Sequence, residues 1–116
     1  MEACSTQRDF ILEHLVIFAR GGYGSIKILD QLKFNKFQEN PKWLIGFSDI
    51  TTILSHVTSL YQIPVIHGPM IYNFKTSSKK ALAMLFKGIK GELKTIKTSS
   101  YYLNRKGVVE SEIVGG

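Results

Sequence analysis

Gly46-Phe47-Ser48-Asp49, within the run "WLIGFSDITTIL" over residues 43–54, sets a serine hydroxyl where an apolar run gives way to a helical pattern. A serine at a sharp strand-to-helix turn projects its hydroxyl from the edge of a sheet. The N–H that follows it can stabilise an oxyanion, which is how nucleophile elbows work. Gly46 would permit the sharp turn and the backbone of Asp49 would supply the N–H. The pattern G-x-S-x-G of α/β-hydrolases is not met, because Ile50 stands where the second glycine belongs. A structural alternative stands beside the chemical one: Ser48 as an N-cap, with Asp49 favourable in the first turn for the helix dipole.

The second stretch with chemical potential is "RGGYG" at residues 20–24. Glycines let a ligand approach the backbone, and amides at the start of a helix attract negative charge. Gly21, Gly22 and Gly24 lack the G-x-G-x-x-G spacing of a dinucleotide site, and no Lys-Ser/Thr pair follows to make a P-loop. Two readings remain, a tight structural turn and an anion- or oxyanion-binding loop. A nucleophilic serine also needs a base. His56 lies eight residues further along the same helix, roughly 12 Å away at about 1.5 Å per residue, too far for a hydrogen bond. His14 begins its strand, at the wrong edge of a parallel sheet. His67 ends its strand at the right edge and is the only local possibility, with a polar role in the "HGP" turn as the alternative reading.

Hydrophobic periodicity supplies the elements that would carry these residues. "LVIFA" at 15–19, "WLIGF" at 43–47 and "IPVIH" at 63–67 read as buried strands. Between them, Ile28, Leu29 and Leu32 recur at helical spacing from Ser25 onward. Ile50, Ile53, Leu54, Val57 and Tyr61 mark one face of a second helix. Asn40-Pro41 is a turn signal that closes the first unit. Strand, helix, strand, helix, strand at these intervals predicts an α/β fold, a partial doubly wound parallel sheet. A further helix, "SSKKALAMLFKGIKG", is capped by Ser77 or Ser78, with Leu82, Leu85, Phe86 and Ile89 on its apolar face. After it, "ELKTIKT", "YYLN" and "VVESEIV" read as short strands, with "NRKG" as a turn. In such sheets ligands bind beyond the carboxyl ends of the strands, and both "RGGYG" and "GFSDI" fall there.

The chain of 116 residues suffices for one modest domain, and 44% hydrophobic with 21% charged residues is an ordinary globular composition. Cys4 stands alone, so no internal disulfide forms, and no Cys/His cluster has zinc spacing. A reducing compartment is the simplest inference. No apolar run reaches the roughly 18–20 residues of a membrane helix and the N-terminus lacks signal-peptide character, so a soluble, cytoplasmic protein is expected. The net charge of +6 is concentrated: nine Lys/Arg and one acid, Glu92, lie between Lys75 and Lys106. A solvated basic face is the plain reading of that run. No RNA-binding aromatic motif accompanies it, and a nucleic-acid partner is not expected.

"ARGGYGSIKILDQL", "NPKWLIGFSDITTIL" and "IPVIHGPM", in that order and closely spaced, resemble the N-terminal part of the LD-carboxypeptidase family. These are serine peptidases of murein tetrapeptide recycling, and microcin C immunity proteins are among them. The resemblance covers residues 15–70 and extends more loosely to "EIVGG". It implies Ser48 as the nucleophile, the Asp49 N–H as one oxyanion donor and the Gly21-Gly22 loop as the other. Arg20, Tyr23 and His67 are implied as substrate-loop candidates. It also implies no metal and no cofactor, a peptide substrate such as a murein tetrapeptide, cleavage before a terminal D-alanine, and a homodimer of two-domain subunits. In the family the triad is completed by a glutamate and a histidine from a C-terminal domain. This chain ends at the Gly115-Gly116 where that domain begins, and "STQRDFILEH" matches the family's opening poorly. The expectation is therefore an N-terminal fragment. Residues 1–92 would form a partial α/β domain with the nucleophile, and residues 93–116 a β-rich connection toward the absent domain. A non-catalytic or split-enzyme domain that binds peptide or a partner chain is the alternative.

Overall fold

The three apolar runs become strands because each is short, rich in β-branched residues and bounded by glycine, proline or a polar turn. The computed structural model describes residues 14–92, 95–97, 99–105, 107–111 and 113. Strands β1 (Leu15–Ile17), β2 (Trp43–Gly46) and β3 (Ile66–His67) form one parallel sheet in the order β1-β2-β3. Leu15, Val16 and Ile17 register with Trp43, Leu44 and Ile45, while Ile45 and Gly46 register with Ile66 and His67. β2 is thus the central strand, and its carboxyl end is flanked by those of both neighbours. β3 begins at Ile66 and not at Ile63; Pro64 has no N–H to give to a ladder.

Adjacent residues of β2 point to opposite faces, and each finds its own core. Leu44 joins Phe34, Ile50, Ile53, Leu54, Val57 and Met70 on one face. Ile45, with no exposed surface, joins Leu85 and Ile89 on the other. Helix α3 (Thr51–Tyr61) supplies the first face and helix α4 (Lys79–Ile89) the second, so helices cover both sides of the sheet and the expected α/β class is what the chain adopts. The cap of α4 is Ser78, whose hydroxyl oxygen accepts from the Ala81 N–H at 3.1 Å. Phe86 departs from its expected core position and stays 39% exposed.

The first crossover differs from the periodic reading. Helix α1 spans only Ser25–Ile28, a 3-10 turn follows at Leu29–Gln31, and helix α2 covers Asn35–Glu39. Ile28 and Leu32 remain exposed, and Phe34 carries the burial they were expected to supply. Phe34 packs edge-on to Phe37 and against His56 and Tyr61, so aromatic contacts and not an aliphatic stripe anchor this crossover. Among the described residues beyond Ile89 there is no strand, contrary to the reading of "ELKTIKT", "YYLN" and "VVESEIV". Tyr102, Leu103, Val108 and Val109 are exposed there, and alternating pattern alone forms no strand without a neighbour to pair with. The turn in this region is closed by the Asn104 N–H donating to the Tyr101 carbonyl, ahead of the expected "NRKG". Lys106 and parts of "ELKTIKT" and "VVESEIV" lie outside the described residues.

Candidate active site

The carboxyl ends of all three strands meet at Ser48. Phe47 is extended, with φ −158°, and a 3-10 turn, Ser48–Ile50, leads into α3. Ser48 itself has φ 60°, a left-handed conformation that is costly for a residue with a Cβ. A residue acting as N-cap is normally extended. Ser48 is not the cap, and its side chain makes no cap hydrogen bond. Gly46 makes the bend possible for a steric reason: a Cβ there would lie 2.7 Å from Ile50 Cγ2. The strand can pass beneath the first turn of the helix only if that position carries no side chain.

The glycine loop reaches the elbow from β1. A Cβ added at Gly21 would meet Ser48 Cβ at 3.3 Å, Ser48 Oγ at 3.4 Å and Met70 Cε at 3.5 Å. Gly21 is therefore in direct contact with the exposed serine, whereas a Cβ at Gly22 would come only within 3.8 Å of Asp49 Oδ2. The N–H groups of Gly21, Gly22 and Asp49 donate to no acceptor among the described residues. The segment after β3 closes the other side. The Gly68 N–H donates to the Gly46 carbonyl, then the Ile71 and Tyr72 N–H groups donate to the Phe18 and Ala19 carbonyls at the end of β1. The chain thus crosses the end of the central strand and buries Met70 behind Gly21.

Asp49 does more than the first-turn role read from its position. Its Oδ2 accepts from the Gly24 and Ser25 N–H groups, each at 3.1 Å, and from the Ser25 hydroxyl at 2.8 Å. The amides at the end of the glycine loop do hold an anion, and that anion is the protein's own carboxylate. The Ser25 hydroxyl holds the Asp49 pKa below the ordinary carboxylate value; partial burial opposes this, and the two amides add to the lowering. Ser25 is itself buried, a functional position that the sequence reading used only to mark where a helix starts. A serine opening a helix was the available signal. What it lacked was a partner, because Asp49 is distant in sequence.

Of the other expected site residues, Arg20, Tyr23 and His67 are all exposed at this edge, Tyr23 almost fully. The His67 ring meets the Phe47 ring edge-on with centroids 6.2 Å apart, and it makes no hydrogen bond to Ser48. His56 is held between Phe34 and Tyr61. No histidine among the described residues is bonded to the serine. No three His, Cys, Asp or Glu side chains among them gather as a metal site, and no helix among them is long and apolar enough to cross a membrane. A cavity of about 400 Å³ opens elsewhere, at the amino edge of the sheet, lined by residues including His14, Lys42, Trp43 and Gln62.

This geometry coincides with a match to a known domain. Residues 13–68, from the start of β1 to the glycine after β3, match the LD-carboxypeptidase N-terminal domain. Over these residues the chain belongs to the LD-carboxypeptidase family. Two proteins named "Putative carboxypeptidase" are similar to it. One, from Treponema pallidum, is 31% identical over 84% of this chain and 26% of its own length. The other, from Synechocystis, is 32% identical over 87% of this chain and 32% of its own length. A murein tetrapeptide carboxypeptidase of Pseudomonas aeruginosa is 44% identical over 44% of this chain and 17% of its own length. The chain thus spans about a quarter to a third of the first two relatives. No solved structure matches. The LD-carboxypeptidase match takes in Gly21, Gly22, Ser25, Ser48, Asp49 and His67 together.

Proposed function

We propose that this chain carries the nucleophile of a serine-type LD-carboxypeptidase that removes the terminal D-alanine from murein tetrapeptides during cell-wall recycling in the cytoplasm. The observation that carries this reading is the left-handed backbone of Ser48, with Gly21 packed against its side chain. Strain of this kind persists where function needs it. Ser48 Oγ attacks the peptide carbonyl carbon while its proton passes to a base. The developing oxyanion is held by the Asp49 N–H and by Gly21 or Gly22. The C–N bond then breaks, D-alanine leaves with a proton, and water hydrolyses the ester to regenerate Ser48. Arg20, Tyr23 and His67 border the entry for the peptide. The chemistry asks for no metal or cofactor.

The base is assigned to a glutamate–histidine pair outside these residues, in a C-terminal domain reached through residues 93–116. Residues 1–92 form the partial domain that bears the serine, and the complete enzyme is a homodimer. Measuring D-alanine release from a murein tetrapeptide tests this, with the chain alone and with the chain extended by a C-terminal region carrying that pair. Turnover in the extended form only, abolished in Ser48→Ala, is expected. Turnover of the short chain that disappears on replacing His67 would make the base local and overturn the assignment.

A second reading is favoured by one observation: Ser48 has no hydrogen-bonded base among the described residues. In this reading the domain binds peptide without cutting it, or works only with a separately made partner that supplies the acid–base pair. Peptide binding by the short chain, with no D-alanine released even in the extended form, distinguishes it. A microcin-like conjugate in place of the murein peptide is tested in the same assay.

A further inference from the structure

We infer that the Asp49 side chain is a positioning residue: by capping α1 from the turn after β2 it fixes the Gly21-Gly22 loop against Ser48. This rests on the reading of Ser48 as nucleophile, and it adds a role for a carboxylate that has so far contributed only its backbone. Three bonds of 2.8–3.1 Å converge on one oxygen, Oδ2, from a loop twenty-four and twenty-five residues earlier in the chain. Such charge-assisted bonds are the strong kind. The donors belong to Gly24 and Ser25, which directly follow Gly22 and Tyr23. Fixing them fixes the loop at its carboxyl end, while β1 holds its amino end through the Phe18 N–H to the Ile45 carbonyl.

The consequence is an economical division of one residue. The Asp49 N–H, which donates to no acceptor among the described residues, serves as one donor, and the Asp49 carboxylate holds the loop that carries the other. Gly21 and Gly22 have no hydrogen bond among the described residues to keep them in place, and glycine backbones are the least restrained. Met70 provides contact behind Gly21 but no direction. Directional restraint comes from Asp49. The same bonds occupy the Gly24 and Ser25 amides, so these two are not free to hold an anionic group of the substrate.

The test uses the 116-residue chain. Backbone ¹⁵N relaxation reports the order of the Gly21 and Gly22 amides, and binding of phenylboronic acid, which forms a tetrahedral adduct with a serine hydroxyl, reports the assembled oxyanion site. In the wild type both amides are expected near the rigid value of about 0.85, falling toward about 0.6 in Asp49→Ala, with Asp49→Asn between them because an amide oxygen still accepts. Boronate affinity is expected to fall about tenfold or more in Asp49→Ala, since misplaced groups lose catalytic contacts steeply. Ser25→Ala, which removes only the shortest bond, gives a smaller loss and serves if Asp49→Ala fails to fold. A purely structural Asp49 would lower the melting temperature and leave the two amides as ordered as in the wild type, and that result overturns the inference. Boronate that still binds Ser48→Ala would instead overturn the nucleophile assignment, while the relaxation data still decide the role of Asp49.

Discussion

Helix α3 has a left-handed residue at each end, Ser48 before it and Gln62 after it, and the two are not alike. Gln62, with φ 54°, is the residue after the last turn; its N–H donates to the Thr58 carbonyl at 3.0 Å. That is an ordinary way for a helix to stop, and glycine or asparagine usually fills the place. Ser48, with φ 60°, precedes the helix, where an extended residue normally sits. Backbone geometry of the same sign is thus a stop signal at the amino edge of the sheet and an elbow at the carboxyl edge. A cavity of about 400 Å³ lies beside Gln62, while the exposed serine stands against Gly21. Unbonded amides and a left-handed serine distinguish the carboxyl edge.

The comparison breaks most visibly at Gly46. Gly46→Ala puts a methyl 2.7 Å from Ile50 Cγ2, so it is expected to destabilise the domain by about 1–3 kcal/mol, the range of overpacked cores. A denaturant midpoint unchanged from the wild type would mean that the elbow does not depend on a bare strand end. Gly21→Ala sharpens the same edge through function. Its Cβ would press on Ser48, so the boronate affinity or acylation rate should drop by about tenfold or more, whereas Gly22→Ala, with only an ordinary contact to Asp49, should change either far less. Equal losses would remove the distinction between the two glycines.

Glycine at the two left-handed positions separates strain from function. Ser48→Gly and Gln62→Gly should each gain up to about 1 kcal/mol from relief of the left-handed cost, less the entropy that glycine adds to the unfolded chain. Only the first should abolish reactivity. Acid adds a further test. Because the folded pKa of Asp49 is lowered, its contribution is complete above the ordinary carboxylate pKa and is lost as pH falls through the folded value. Asp49→Asn should therefore flatten that part of the acid unfolding curve and leave the neutral region parallel to the wild type. The smallest effect is expected at Thr51, whose buried hydroxyl has no partner among the described residues. Thr51→Val should be neutral or stabilising within about 1 kcal/mol in thermal denaturation.

Sequence reasoning reached the strands, α3, α4 and the two loops because those features are local. β-branched runs, a 3.6-residue stripe and glycines at strand ends need no partner to be recognised. It went wrong where distant partners decide. Ile28 and Leu32 have helical spacing, but Phe34, packed on His56 and Tyr61, holds that crossover instead. The strands expected after Ile89 have the right residues and no pairing among the described ones. Ser48 could be read as cap or nucleophile, since both place a serine before a helix, and only a backbone angle separates them. The bond from Ser25 to Asp49 was invisible for the same reason: each residue looked complete in its own helix start.

The most direct test of the central claim is the mass of an intermediate. The chain extended by a region carrying the proposed acid–base pair is mixed with a murein tetrapeptide, quenched in acid and digested. A tripeptidyl ester on the fragment containing Ser48, absent from Ser48→Ala, is the expected result. D-alanine released at the wild-type rate by Ser48→Ala, or an acyl group on another residue, would contradict it.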